Sequence, residues 1–313
     1  MSELAVFTGL ANPPLAHAIA EKLGVALRGR AIQRFPDTEL NVELTDTVRN
    51  CDVYLVQPTG PPVDQNLVEL LFMGDACWRA GASKITAVTP YFGYARQDRR
   101  AKGREAIGAR LVADLLKAAR ISRSVAIDLH SPSLESVFSL PVEQLSAIDV
   151  LGSVLRDLMP SDGVVVAPDL GAVKLAQRYA QLLSLPMAVV HKVRTSAETV
   201  EVRSVIGEVR GRAPIVVDDM ISTGGTIAAA ITALVAAGAS TEVLVAATHG
   251  LLTGSAVERL RPLPLKRLLV TDSLLVPKPA NFPINTVSVA PLLADAIARL
   301  HLGRSLGGLI AHR

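Results

Sequence analysis

The stretch from Ala213 to Ala229, Ala-Pro-Ile-Val-Val-Asp-Asp-Met-Ile-Ser-Thr-Gly-Gly-Thr-Ile-Ala-Ala, admits few folds. Ile215, Val216 and Val217 form an unbroken β-branched run, the pattern of a strand buried on both faces. The alanine-rich segment from Thr226 to Ala237 has the composition of a helix, which Gly238 ends. In the polar loop between them, Ser222, Thr223, Gly224, Gly225 and Thr226 supply hydroxyls and small residues. These let several backbone N–H groups turn toward one point at a helix N-terminus, a concavity suited to phosphate. Asp218 and Asp219, at the carboxyl end of the strand, cannot hold phosphate, but they accept hydrogen bonds from a neighbouring diol. A sugar phosphate satisfies both halves. The plainer alternative is a strand-to-helix turn capped by Ser222 or Thr223, with the aspartates in solvent. No lysine follows the glycines as in a Walker loop, and the segment is no G-x-G-x-x-G.

Composition agrees with a parallel sheet. Half of the 313 residues are hydrophobic but only 4% are aromatic and 19% charged, so a core must be built mostly from Ala, Val, Leu and Ile. The length suits two domains. A formal charge of +3, with no block of Lys and Arg, argues against nucleic acid and is compatible with small polyanionic substrates. Cys51 and Cys77 stand apart from one another and from any His cluster, so neither a disulfide framework nor a zinc site is indicated. Met-Ser-Glu-Leu-Ala-Val-Phe has no basic run followed by a long apolar core, and the charge-free stretch 220–241 is interrupted by glycines. The expectation is a cytoplasmic protein that does not enter a membrane.

Along the chain, strands are expected at 4–8, 53–57, 84–89 and 125–129, alternating with helices at 14–23, 63–79 and 105–119. Short alternating segments at 31–35 and 40–44 form a hairpin whose turn is Pro36-Asp37-Thr38-Glu39. The segment 141–147 reads as a composition break. A second half then repeats the scheme, with helices at 150–158, 255–260 and 292–300 and strands at 164–167, 187–190, 243–247, 268–271 and 286–289. After His191-Lys192-Val193-Arg194, about twenty polar residues to Arg212 read as one long loop.

The candidate polar groups follow the carboxyl ends of expected strands: Arg96, Gln97 and Asp98 in an aromatic and basic loop, His130, Asp169, Lys192 with Arg194, and the Asp218 loop. Parallel sheets collect ligands at that edge. The set offers cations for a polyphosphate, His and Asp for a divalent metal, and a phosphate loop with a diol acceptor. There is no Ser-His-Asp, Cys-His or paired-glutamate signature. Transfer of a phosphoryl-type group between a nucleotide and a sugar phosphate uses all of these parts.

The loop from Asp218 to Thr226 resembles the 5-phosphoribosyl diphosphate (PRPP) loop shared by phosphoribosyltransferases and ribose-phosphate diphosphokinases, and by itself does not separate the two. Over nearly the whole chain the resemblance is to the ribose-phosphate diphosphokinase, or PRPP synthetase, family. Phe35-Pro36-Asp37-Thr38-Glu39 resembles its adenine-binding hairpin and Tyr94-Ala95-Arg96-Gln97-Asp98-Arg99 its ATP loop. Asp128-Leu129-His130 and Pro168-Asp169 resemble its metal-binding segments, and Lys192-Val193-Arg194 its catalytic flexible loop.

The resemblance implies conversion of ATP and ribose 5-phosphate to PRPP and AMP with Mg2+. Phe35, Asp37, Thr38, Glu39, Arg96, Gln97, Asp98 and His130 would then meet ATP, and His130 and Asp169 would serve the metal. Asp218, Asp219, Ser222, Thr223, Gly224, Gly225, Thr226 and Arg194 would hold the sugar phosphate, with Lys192 and Arg194 catalytic. It also implies two phosphoribosyltransferase-like α/β domains, 1–146 and 147–313, the last residues packing back on the first. The assembly implied is a dimer-based homo-oligomer, a hexamer, in which the hairpin enters another subunit's site. This chain departs from the family at Ser131–Phe138, at Gly171-Ala172, at Ser222 and in the tail 303–310. A phosphoribosyltransferase, and a catalytically silent homologue, are the other readings.

Overall fold

The computed structural model describes residues 2–194 and 200–310, and within them every side chain except those of Pro132, 192–194 and 200–203. It comprises two compact units, Met1–Ser146 with Ser273–Leu275 and Val289–Arg313, and Ala147–Asp272 with Val276–Ser288.

The first unit begins with β1 (Leu4–Thr8), α1 (Pro13–Leu23), β2 (Arg30–Arg34), β3 (Leu40–Leu44) and β4 (Asp52–Val56). It continues through α2 (Val63–Arg79), β5 (Lys84–Val88), α3 (Gly108–Ala118), β6 (Arg123–Ile127) and β7 (Val142–Leu145). The second unit holds α4 (Ile148–Leu158), β8 (Gly163–Ala167), α5 (Val173–Leu183), β9 (Met187–Arg194), β10 (Val200–Ile206) and β11 (Ala213–Ile221). There follow α6 (Gly225–Ala236), β12 (Val243–Gly250), α7 (Ala256–Leu260), β13 (Leu265–Thr271) and β14 (Ile284–Val287), and α8 (Ala290–His301) belongs again to the first unit.

In the first unit the strand order is β1-β4-β5-β6-β7, parallel throughout, with β2 and β3 as a separate antiparallel hairpin. Every residue of β4 is buried, as strands covered on both faces require. Leu67, Leu70, Met73 and Cys77 of α2 and Ala109, Val112 and Leu116 of α3 form one core with Ala5, Phe7, Val53 and Leu55. Ile32, Val42 and Leu44 of the hairpin pack on that core. The start of α1 has prolines in its first turn and an Asn12 side chain accepting from Leu15 N at 3.3 Å, and Gly24, with φ 69°, ends it. His301, in the last turn of α8, lies 2.9 Å from the buried Asp52 carboxylate.

In the second unit the order is β10-β9-β8-β11-β12-β13-β14, parallel except for β10. The helices α4 and α5 cover one face and α6 and α7 the other. The chain runs from β8 outward to β9, then returns to place β11 on the opposite side of β8. That reversal opens a crevice beyond the carboxyl ends of β8 and β11.

The α/β class with mainly parallel sheets expected from the sequence is the one observed. Three local readings change. The segment 141–147 contains β7, half of whose residues, Glu143 and Gln144, are polar. The polar loop after Arg194 contains β10, whose alternation is broken by a register shift between Val202 and Ser204. α3 starts at Gly108 because Glu105 folds back to accept from Ala101 N and Lys102 N, both at 2.8 Å.

Candidate active site

The opening stretch of the sequence occupies the reversal. β11 extends past β8, whose pairing with it ends at Val216–Val166, so Asp218 and Asp219 emerge beyond β8. Ser222, Thr223 and Gly224 then curl into the start of α6. Gly224 is its N-cap with φ 73°, a left-handed conformation that a side chain resists, and Ala228 N donates to its carbonyl at 2.9 Å. As a glycine, the N-cap supplies no side-chain cap of its own. The first N–H groups of any helix have no acceptor within it, and here that end of α6 adjoins the loop. The geometry is that of an anion cradle, formed from Ser222, Thr223, Gly224, Gly225 and Thr226.

After β8, Asp169 folds back so that its Oδ1 accepts from Gly171 N at 2.9 Å and Ala172 N at 3.3 Å. Asp218 is half-buried, and its Oδ1 accepts from Asp219 N at 2.9 Å. Burial first, then the Asp219 charge and a hydrogen bond with that side chain, then the Asp169 charge, hold the Asp218 carboxyl well above the usual range. Asp218 thus feels the charge of two further carboxylates at the ends of β8 and β11.

The sequence reading missed what holds the loop from behind. Leu252 N donates to Ile221 O at 3.0 Å, and Thr253 N donates to Ser222 O at 3.0 Å. Arg259 Nη1 donates to Thr223 O at 2.6 Å. The signal was faint, since these partners lie about thirty residues on, in a segment with no phosphate-loop chemistry.

In the first unit the hairpin tip is exposed from Phe35 to Glu39, with Phe35 48% accessible. Its turn is closed by Thr38 N to Phe35 O and Phe35 N to Glu39 O, both at 2.9 Å, with Thr38 at φ 76°. Asp37 Oδ1 accepts from Glu39 N at 3.1 Å, so Asp37 also shapes the turn. Arg96 and Gln97 are exposed beyond β5, and Gln97 N closes a turn onto Tyr94 O at 2.8 Å. Asp98 is placed differently from its neighbours. Its carboxylate accepts from Ser133 Oγ at 3.0 Å and lies 3.7 Å from Arg99 Nε, tying this loop to the segment after His130. His130 is exposed two residues after Asp128, which holds φ 39°. Lys192 and Arg194 sit on β9, opposite Val202 and Val200, and their side chains lie outside the described residues.

A mainly parallel α/β unit with an acid pair and an anion cradle at its strand reversal defines a protein of phosphoribosyl chemistry. Residues 4–119 match the model described as the N-terminal domain of ribose phosphate pyrophosphokinase, and residues 201–311 match the phosphoribosyl synthetase-associated domain. The chain belongs to the ribose-phosphate pyrophosphokinase family, and it is an enzyme. It is 44% identical over 310 residues to the ribose-phosphate pyrophosphokinase of Caldanaerobacter subterraneus, covering 98% of each chain. It is 43% identical over 308 residues to that of Gloeobacter violaceus, covering 98% of this chain and 92% of the relative. The crystal structure of phosphoribosylpyrophosphate synthetase from Mycobacterium smegmatis superposes with a TM-score of 0.89 at 39% identity, over 96% of this chain and 100% of that one. These full-length matches favour the diphosphokinase reading over a phosphoribosyltransferase.

Proposed function

We propose that this enzyme transfers the β,γ-diphosphoryl group of ATP to the C1 hydroxyl of ribose 5-phosphate, releasing AMP and PRPP. The observation that carries the reading is the β11 element: an acid pair for the ribose hydroxyls leading into a cradle for the 5-phosphate, at the reversal of a parallel sheet. Asp218 and Asp219 accept from the sugar hydroxyls, and Ser222 to Thr226 hold the phosphate, leaving C1 presented to the nucleotide. Phe35 stacks on adenine, with Asp37, Thr38 and Glu39 completing that pocket. The exposed aromatic tip supports its insertion into a neighbouring subunit of a homo-oligomer, dimer-based and built to a hexamer. Arg96, Gln97 and Asp98 meet the nucleotide, and Asp98 also orders their loop through Ser133. Lys192 and Arg194 neutralise charge spreading over the phosphoryl oxygens, and Arg194 also reaches the sugar phosphate.

The mutually repelling carboxylates at the reversal suit a hard divalent cation, and Mg2+ is the one proposed. Among the described residues no group of three or more His, Cys, Asp or Glu could by itself hold a metal ion, so the substrates' phosphates would complete the sphere, a usual arrangement for Mg2+. His130 and Asp169 are its proposed protein partners, directly or through water, and the ion would supply charge neutralisation on the transferred group. Among the described residues no helix is long and apolar enough to cross a membrane, and a cytoplasmic location is proposed. The test is the purified protein with Mg2+, ATP and ribose 5-phosphate, with nucleotide products resolved by chromatography. Stoichiometric AMP and PRPP are expected, and ADP formed at an equal rate would refute the reaction.

A further inference from the structure

The segment from Leu252 to Leu260 has no part in the reaction as described, yet it contacts the phosphate loop at every residue from Ile221 to Gly224. The carbonyls of Ile221, Ser222 and Thr223 accept in turn from Leu252 N, Thr253 N and Arg259 Nη1, at 3.0, 3.0 and 2.6 Å. Thr253 Oγ1 also lies 3.2 Å from Ser222 Oγ. At Gly224 a Cβ would stand 3.2 Å from Leu260 Cγ and 3.5 Å from Ala256 O, so α7 is packed directly behind the cap.

A planar trans peptide sets each carbonyl antiparallel to the next residue's N–H. Pinning three successive carbonyls to one segment therefore aims the N–H groups of Ser222, Thr223 and Gly224 to the opposite side, away from 252–260. A row of backbone donors turned one way is what an anion cradle requires. A polar loop with two adjacent glycines does not hold such an arrangement by its own propensities, because each peptide can flip at little steric cost. The first two carbonyls are held by backbone donors, which any residue provides. The third, which sets the Gly224 N–H at the mouth of α6, is held by the guanidinium of Arg259.

We infer that Arg259, assisted by Thr253, is a positioning residue for the 5-phosphate of the sugar substrate, acting through the Thr223 carbonyl. The inference rests on the sugar-phosphate reading of this loop. It assigns to α7 a role in substrate affinity and none in the chemical step.

Steady-state kinetics of the full chain carrying Arg259→Ala or Arg259→Lys test it. Removing one charge-assisted hydrogen bond that orients the cradle should raise KM for ribose 5-phosphate about tenfold, leaving KM for ATP within about twofold and kcat within about threefold. Arg259→Lys, which keeps a charged donor, should recover most of the loss, and Thr253→Val should shift the same KM in the same direction. Calorimetric titration with ribose 5-phosphate alone should show the same weakening. An unchanged sugar-phosphate KM, or an equal rise in both substrates' KM, would overturn the inference. A parent enzyme that forms no PRPP overturns the proposed function itself, whereas an active parent with an indifferent Arg259→Ala overturns only the clamp. Should Arg259→Ala fail to fold, Arg259→Met, which keeps an unbranched stem but no donor, and Thr253→Val give the same two outcomes.

Discussion

Replacing Gly224 by alanine should damage the protein in two measurable ways. Gly224 sits at φ 73°, and an added Cβ would lie 3.2 Å from Leu260 Cγ and 3.4 Å from its Cδ1. A left-handed conformation costs an L-residue about 1–2 kcal/mol, and overpacking a buried leucine costs about as much again. The sum, about 2–4 kcal/mol, corresponds to a fall in melting temperature on the order of 5–10 °C. If the chain relieves the strain by leaving the left-handed region, the Gly224 N–H turns out of the cradle, and binding of ribose 5-phosphate should weaken about tenfold or more. Gly225 is the control. Its Cβ would meet Arg259 Nη1 at 3.6 Å and Thr223 Oγ1 at 3.9 Å, ordinary contacts, so Gly225→Ala should melt within about 2 °C of the parent. Differential scanning fluorimetry with calorimetric titration reads both quantities. A Gly224→Ala variant that melts and binds sugar phosphate like the parent would refute the description of the cap.

Three further outcomes are expected. Asp218→Asn should flatten the pH dependence of stability: because the folded-state carboxyl is raised by burial and by Asp219 and Asp169, its contribution is full below the unfolded value and is lost as pH rises through the raised one. The variant should therefore melt higher than the ligand-free parent near pH ~8 and lose that advantage near pH ~3, and parallel melting curves at the two pH values would contradict it. Lys192→Ala and Arg194→Ala should each lower kcat by about 10³ or more with little change in KM, and values within about tenfold of the parent would place the catalytic cations elsewhere. Phe35→Ala should raise KM for ATP about tenfold through loss of base stacking without moving ribose 5-phosphate affinity, and equal effects on both substrates would count against an adenine platform.

What the sequence disclosed, it disclosed locally. The β11 strand, the acid pair, the loop and α6 are contiguous, and each is written in residues whose propensities agree, from Ile215-Val216-Val217 to the alanines before Gly238. The hairpin was equally legible because its two alternating runs are five residues apart. β7 and β10 were not, since Glu143 and Gln144 interrupt one pattern and the shift at Val202 and Ser204 disrupts the other. The clamp behind the phosphate loop was invisible for a different reason. Arg259 reaches Thr223 across 36 residues, and only the adjacency of β11 and β12 brings the two together. The bond from Ser133 to Asp98 was hidden in the same way, because it depends on a neighbouring segment that sequence order does not place beside the loop.

The carboxylates at the reversal of the second sheet explain why this site is costly to the empty protein. β8 and β11 both end there, so Asp169 meets the Asp218–Asp219 pair through topology and not through chain proximity. A ligand-free carboxyl that is held above its usual range is a group whose ionisation opposes folding at neutral pH. On the proposed function, sugar hydroxyls donate to the pair and a divalent cation offsets its charge, so the bound state removes the opposition. Substrate and Mg2+ should then stabilise the chain by their binding free energy and also shift the Asp218 carboxyl down. The melting temperature gained on adding both ligands should accordingly be larger at pH ~8 than at pH ~5, and Asp218→Asn should abolish that difference while retaining part of the gain. A ligand-induced gain that falls between those pH values, or that keeps its pH dependence in Asp218→Asn, would show that the acid pair is not where the ligands act.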